Sequence, residues 1–73
     1  MYNVLRLKLL NIGFREVIGT SRFESEICTV EIDRMTLMIF KIVYVGGKEE
    51  YVPTTIDTLK KELDVWEANE YGI

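Results

Sequence analysis

The sequence predicts a single small α+β domain over residues 1–73, with its elements in the order α-β-β-β-β-α. We expect an antiparallel sheet of three to four strands, with both helices packed on one of its faces. Two observations carry this prediction: apolar residues recur at helical spacing near both ends of the chain, and the middle is rich in β-branched and aromatic residues. A chain of 73 residues is long enough to bury one core.

The first helix is predicted over residues 2–12. Its apolar residues near helical spacing are Val4, Leu5, Leu9 and Ile12. Gly13 followed by Phe14 is typical of a left-handed helix end with an apolar residue after it. A strand is the alternative for this segment, because apolar and basic residues alternate from Leu5 to Leu9.

Four strands are predicted between the helices, near residues 14–19, 23–32, 35–45 and 48–52. Segments rich in turn-forming residues separate these strands. They are Gly19-Thr20-Ser21, Asp33-Arg34 and Gly46-Gly47. Both glycines of the last segment can take positive φ, which favours a two-residue hairpin turn.

The second helix is predicted to begin after Pro53, with Thr54 as its N-cap and Asp57 answering the cap three residues later. Its apolar stripe consists of Ile56, Leu59, Leu63 and Trp66. From Glu62 onward the charged residues are all acidic, which is unfavourable near the negative end of the helix dipole. Residues 69–73 are therefore predicted to form a frayed tail.

A two-residue turn at Asp33-Arg34 would set the pairing of the second and third strands. The expected pairs are Ile32 with Met35, Val30 with Leu37, Cys28 with Ile39, and Glu26 with Lys41. The other face would carry an aromatic set, which is Phe23, Ile27, Met38, Phe40, Ile42, Tyr44 and Tyr51. The long third strand is then apolar on both faces, whereas a small antiparallel sheet normally buries only one.

The nearly charge-free aromatic face is assigned to the core, because charges are seldom fully buried. We expect it to lie beneath Leu5, Leu9, Leu59, Leu63 and Trp66. The aliphatic face would be partly exposed, and a contiguous apolar patch usually marks a binding surface. The predicted protein interface consists of Val30, Met35, Leu37, Ile39 and Val43, with a charged rim of Glu24, Glu26 and Lys41. In the alternative arrangement, the twist of the sheet covers both apolar sets internally.

Catalysis is not expected, since the chain contains no histidine, which is the commonest general base and a frequent metal ligand. The single cysteine, Cys28, lies in a predicted strand without a neighbouring base, so a buried apolar role is expected. Carboxylate pairs occur at Glu24 and Glu26 and at Glu49 and Glu50, but they lack the pattern of a glycosidase or calcium site. Neither a metal nor a cofactor is predicted.

The single cysteine cannot form an intramolecular disulfide, which favours a reducing compartment, and the cytoplasm is the predicted location. The N-terminal apolar segment contains charges, unlike a signal peptide. No apolar run approaches the roughly 20 residues that span a bilayer. We therefore expect no association with a membrane.

The net charge of −3 is unevenly distributed, because residues 1–22 carry four bases against one acid. These bases are Arg6, Lys8, Arg15 and Arg22. The order of helix, antiparallel strands and helix resembles that of the double-stranded RNA-binding domain, whose last helix starts with a lysine-rich cluster. Here residues 53–58 read Pro-Thr-Thr-Ile-Asp-Thr, so we carry over no binding residues and do not expect nucleic acid as a partner.

The leading hypothesis is a small non-catalytic protein-binding module or inhibitor that occupies a surface of a larger protein. Acidic chains of this size without histidine are common among accessory proteins of bacteriophages and mobile elements, including inhibitors of host enzymes. One alternative is a homo-oligomer that pairs through its sheet faces or edges. A second alternative is a nucleic-acid-binding module that uses the basic N-terminal residues.

Overall fold

Two helices flank five consecutive strands in the computed structural model, which describes residues 1–71. The elements are α1 (Tyr2–Ile12), β1 (Arg15–Glu16), β2 (Arg22–Glu24), β3 (Thr29–Ile32), β4 (Ile39–Val45), β5 (Lys48–Thr54) and α2 (Ile56–Tyr71). The strands form an antiparallel meander in the order β1-β2-β3-β4-β5. The α+β fold with an antiparallel sheet is confirmed, but five strands replace the predicted three to four. The extra strand arises because the strand predicted at 23–32 is divided into β2 and β3. The strand predicted at 14–19 is shorter than expected and consists only of the two residues of β1.

α1 forms where a helix was predicted, so the strand alternative for this segment is wrong. Gly13 ends the helix in the left-handed conformation, with a φ of 113° that strains residues bearing a Cβ. Besides the burial of Leu9 in the core, two polar contacts link α1 to the rest of the chain. The Arg6 Nε donates to the Glu16 carboxylate of β1 at 3.0 Å, and the Arg34 guanidinium lies 4.1 Å from the centre of the Tyr2 ring.

A tight turn divides the second predicted strand into β2 and β3. The Ser25 N–H donates to the Cys28 carbonyl at 2.9 Å, and the Ser25 Oγ accepts the N–H groups of Ile27 and Cys28 at 3.3 Å. Local bonds of this kind compete with strand pairing. Phe23 pairs with Val30 and is buried in the core, so its predicted placement on the face of Phe40 and Ile42 is wrong.

The loop between β3 and β4 is longer than the two-residue turn predicted there. The Asp33 carboxylate accepts the backbone N–H groups two and three residues later, at 2.8 and 3.1 Å, and Leu37 takes a left-handed φ of 62°. Ile39 therefore pairs with Ile32. The predicted pairs that this register replaces are Ile32 with Met35, Val30 with Leu37, Cys28 with Ile39, and Glu26 with Lys41. The register shift is an even number of residues, so each side chain keeps its face.

The core lies on the aliphatic face of the sheet, and the prediction that the aromatic face is buried is wrong. It joins both helices to β2, β3 and β4. Its buried members are Leu9, Phe14, Phe23, Val30, Ile32, Ile39, Leu59 and Leu63. Val30 is 0% exposed and Ile39 is 4% exposed, so neither residue can belong to the open surface predicted for this face.

Lys41 explains why the argument from charge misassigned the two faces. It lies on the core face, and its Nζ donates to the Glu62 carboxylate of α2 at 3.2 Å. These two side chains keep 33 and 35% of their surface exposed. A lysine can thus lay its aliphatic stem along a core while its ammonium group stays at the rim.

α2 is capped by Thr55, one residue after the predicted Thr54, because the Thr55 Oγ1 accepts the Thr58 N–H at 3.1 Å. Of the predicted apolar stripe, Trp66 is only partly buried and lies outside the main core. The helix continues through Tyr71, so the first part of the predicted tail is helical. The rest of that tail lies outside the described residues.

Replacement of Leu59 should test the position of the core. We expect Leu59→Ala to lower the free energy of unfolding by about 2–5 kcal/mol, because Leu59 is fully buried between α2 and the sheet. Val65→Ala on the same helix should cost less than about 1 kcal/mol, because Val65 is exposed. Urea unfolding followed by circular dichroism measures both values, and equal losses would contradict this packing.

Candidate functional site

The β4–β5 hairpin extends beyond the area that the helices cover. Its strands are joined by Gly46-Gly47, whose φ values of 58° and 82° form the primed turn that the sequence predicts. Seven residue pairs link the strands, from Ile39 with Thr54 beside the core to Val45 with Lys48 next to the turn. Burial decreases along β4 toward the turn, and all of β5 except its last residue is exposed.

Large apolar side chains are exposed on both faces of this hairpin, with Tyr44 and Val45 next to the turn and with Tyr51 and Val52 farther along β5. On the core face of the sheet Val45 is 54% exposed and Val52 is 46% exposed. On the opposite face Tyr44 is 68% exposed and Tyr51 is 44% exposed. We call these four residues the hairpin tip. Exposed apolar side chains on both faces of one hairpin favour a site of interaction.

A polar network covers the aromatic face next to the hairpin tip. Both terminal nitrogens of Arg22 in β2 donate to the Glu49 carboxylate of β5, at 3.1 and 2.8 Å. Arg22 also donates to the Tyr51 hydroxyl at 3.0 Å, and the Tyr44 hydroxyl donates to Glu49 at 3.2 Å. Ile42 lies on the same face and is only 5% exposed. The aromatic face of the sheet is therefore partly covered by side chains of the sheet itself.

Contact between Arg22 and Glu49 requires a strongly curled sheet. Their strands are separated by β3 and β4, so in a flat sheet β2 and β5 would lie about 14 Å apart, at about 4.8 Å per strand. Twist and curl bring opposite corners of the sheet together over one face. The predicted alternative, in which twist covers both apolar sets, is therefore correct for Ile42 but does not extend to the hairpin tip.

The two hydrogen bonds between Arg22 and Glu49 also stabilise the charged forms of both side chains. Hydrogen bonds from Arg22 hold the pKa of Glu49 below its ordinary value of 4.5, against the opposing effect of desolvation. The same hydrogen bonds raise the pKa of Arg22. At neutral pH the Glu49 carboxylate is therefore ionised, and its charge is balanced by the guanidinium that binds it.

The predicted interface residues do not form one surface. Val30 and Ile39 belong to the core. Met35 is 93% exposed, and Leu37 is partly buried, in the loop before β4. Val43 is partly buried on β4. The predicted surface is therefore wrong as a unit, although Val43 does lie beside the hairpin tip.

The predicted rim is likewise dispersed. Glu24 is exposed at the end of β2. Glu26 lies 3.5 Å from Arg15, and Lys41 binds Glu62 across the core rim. The charges predicted to surround one patch instead serve separate parts of the fold.

Sequence reasoning placed Tyr44 and Tyr51 in the core and did not single out Val45 or Val52. One signal was available, because a tyrosine hydroxyl needs a polar partner when buried and therefore favours a position at the edge of a core. The second signal is position, since Tyr44 and Val45 directly precede Gly46-Gly47, at the end of β4 away from the core residue Ile39.

Two shallow depressions flank the sheet. One of about 510 Å³ lies beside α2, between Ile27, Lys41 and Trp66. The other, of about 440 Å³, lies beside the loop before β4, between Phe40 and Tyr51. Both are open to solvent, in contrast to the enclosed pockets that hold small molecules.

No group of three or more potential metal ligands occurs among residues 1–71. Cys28 is partly buried, and this burial raises the pKa of its thiol, with Lys41 and Ser25 acting in the opposite direction. A protonated thiol is a poor nucleophile. No helix in the described part of the chain is long and apolar enough to cross a membrane.

Comparison with known proteins finds no matching family, no similar curated protein and no similar solved structure.

Removal of the Glu49 carboxylate should give a pH-dependent loss of stability. Because the pKa of Glu49 is lowered in the folded state, its contribution is fully present above the ordinary value of 4.5 and is lost as the pH falls through the folded-state pKa. Glu49→Gln should therefore be less stable than the wild type at pH 7 and equally stable at strongly acidic pH. Urea unfolding at both pH values tests this, with the exposed Glu50→Gln as the control; a difference that persists unchanged in acid would contradict it.

The Cys28 thiol should react slowly with a disulfide reagent at neutral pH. Burial raises its pKa and limits access, so the rate should be well below that of the same thiol in the urea-unfolded chain. Absorbance assays with an aromatic disulfide measure both rates. Equal rates would show that Cys28 is not protected by the fold.

Proposed function

We propose that this chain is a small non-catalytic protein-binding module that docks through the hairpin tip and acts by occupying a surface of a larger protein. One observation carries the proposal: Tyr44, Val45, Tyr51 and Val52 expose large apolar side chains on both sides of a regular two-stranded element. Tyrosine is enriched at protein interfaces, where its ring is buried and its hydroxyl bonds. An element exposed on both sides is suited to a cleft.

The hairpin tip is held in place before any partner binds. Arg22 links β5 to β2 through the Glu49 carboxylate, and the hydroxyls of Tyr44 and Tyr51 are within hydrogen-bonding distance of the same carboxylate, at 3.2 and 3.3 Å. Two aromatic side chains and one strand pair are thus already ordered. Less conformational entropy is lost on association when the contact residues are fixed in advance.

The basic residues of the N-terminal region support a protein partner over a nucleic acid. Three of the four form ion pairs within the chain, which are Arg6 with Glu16, Arg15 with Glu26, and Arg22 with Glu49. Nucleic-acid binding depends on clustered basic side chains that are free to meet phosphates. Here each of these guanidinium groups already has a carboxylate neighbour.

An inhibitor is the simplest form of this proposal, because blocking a cleft needs shape and surface chemistry but no reacting group. An accessory protein of a phage or mobile element that counters a host enzyme would fit this description. A homo-oligomer is the second candidate, since the exposed apolar side chains of the hairpin tip would also suit the same surface of a second copy.

Charge introduced at the hairpin tip should abolish association without unfolding the chain. We expect the double variant Val45→Lys with Val52→Lys to bind its partner at least about tenfold more weakly, as removal of a central apolar contact does at other interfaces. Leu7→Lys is the matched control, because Leu7 is similarly exposed on α1. Tagged wild type and variants are compared by quantitative capture from cells of the source, followed by titration calorimetry with the recovered protein.

Circular dichroism and thermal unfolding of all three proteins establish that the fold is kept. Equal capture by the tip variant, or equal loss in the Leu7 control, would contradict docking through the tip. Light scattering over a dilution series tests the second candidate. A stable dimer that dissociates in the tip variant would replace the foreign partner with a second copy.

A further inference from the structure

β5 forms an open edge of the sheet, and its register shows which backbone groups point outward. In a two-residue hairpin the residues next to the turn, here Val45 and Lys48, form a hydrogen-bonded pair. Bonded and non-bonded pairs then alternate along the strands. The residues of β5 in non-bonded pairs, whose backbone groups face away from β4, are Glu49, Tyr51 and Pro53. Proline lacks an N–H, so its position at an outward site agrees with this register.

The edge offers a short and specific set of groups to another strand. Glu49 and Tyr51 each present one N–H and one carbonyl, whereas Pro53 presents only a carbonyl. The Glu49 side chain is already bound by Arg22. Glu50 is exposed on the other face and has no ion pair among residues 1–71. On that face β5 presents a basic, an acidic and an apolar side chain in turn, namely Lys48, Glu50 and Val52.

A second copy of the chain fits this edge poorly. In antiparallel pairing of two identical strands, outward residues must face outward residues. If Tyr51 faces its copy, Glu49 meets Pro53, and if Val52 faces its copy, Tyr51 meets Pro53. In both registers each such pair lacks one donor. If Glu50 faces its copy, two like charges stand directly opposite, which is destabilising. If Glu49 faces its copy, the pairing runs into the glycine turn after one further residue.

We propose that β5 binds an extended segment of a partner protein by antiparallel edge pairing. The segment carries an apolar residue opposite Val52, a basic residue opposite Glu50 and an acidic residue opposite Lys48. Its backbone bonds to Glu49 and Tyr51, in the way that strands are added to open sheet edges. This inference rests on the proposed function, because it names the partner of the same hairpin.

Two synthetic peptides test the charge at the centre of this pairing. The first has the sequence Val-Tyr-Lys-Thr-Glu with blocked ends, and the second has Glu in place of Lys. We expect the first peptide to bind wild type about two- to fivefold more tightly, as cross-strand charge pairs allow. Nuclear magnetic resonance titration should show the largest shifts and slowed amide exchange at Glu49 and Tyr51. In Glu50→Lys the order of the two peptides should reverse.

N-methylation of the peptide tests the role of the backbone. A methyl group on the nitrogen of the residue opposite Tyr51 should prevent binding, because that N–H donates to β5. A methyl group on the residue opposite Glu50 should leave binding intact, because that N–H faces away. The proposal would be overturned if the two methyl groups had equal effects, or if the Lys and Glu peptides bound equally well to wild type and to Glu50→Lys.

The outcome is distinguishable from failure of the proposed function. One outcome is that the Val45→Lys, Val52→Lys variant loses partner capture while neither peptide slows amide exchange at Glu49 and Tyr51. This result would support docking through the hairpin tip and refute edge pairing. Peptide binding with unchanged partner capture in that variant would refute docking through the side chains of the tip. Protection of both amides by raising the protein concentration alone would identify a second copy as the occupant and overturn the proposal of a foreign strand.

Discussion

Three leucines packed against one face of the sheet determine the rest of the structure. Leu9 of α1 and both Leu59 and Leu63 of α2 lie against β2, β3 and the start of β4. The core cluster reaches β4 only at Ile39, whereas Tyr44 and Val45 at the other end of β4 are exposed. The helices therefore leave the far end of the β4–β5 hairpin without cover.

The uncovered face is partly closed by the sheet itself. Arg22 and Glu49 meet across two intervening strands, and this contact holds the curl that buries Ile42. The ion pair forms only when the sheet is curled. A partly exposed ion pair adds little stability by itself. Its larger effect here is to fix the position of β5 relative to β2, and thereby the orientation of the hairpin tip.

The sequence predicts the elements that depend on periodicity or on glycine. α1 is recognisable from its apolar spacing and from Gly13, and the β4–β5 turn is recognisable from Gly46-Gly47. Of the two turns made by side chains, the turn at Ser25 was missed and the turn at Asp33 was predicted too short, because both residues bond to backbone N–H groups only once the local chain has turned. Ser25 does not exclude a strand on propensity strongly enough to reveal its turn.

The choice of the buried face could not be made from sequence for a different reason. The two faces of β4 are both apolar, and the single charge that distinguished them, on Lys41, reaches Glu62 at the rim of the core. The tyrosines were the better guide, because their hydroxyls need polar partners that an apolar core does not provide. The tyrosines of the candidate site were missed for the same reason, since Tyr44 and Tyr51 lie on the face that was assigned to the core.

The edge of β5 combines features that prevent pairing with features that permit it. Charged residues and proline on an edge strand usually oppose aggregation, as do bulges and inward-pointing charges. β5 has the proline and the charges, but it pairs with β4 in seven consecutive positions without a bulge. The charge of Glu49 is also neutralised by Arg22, which leaves Glu50 as the acid that opposes a like-charged strand. Such an edge discriminates against copies of itself while remaining open to a strand with the complementary charge.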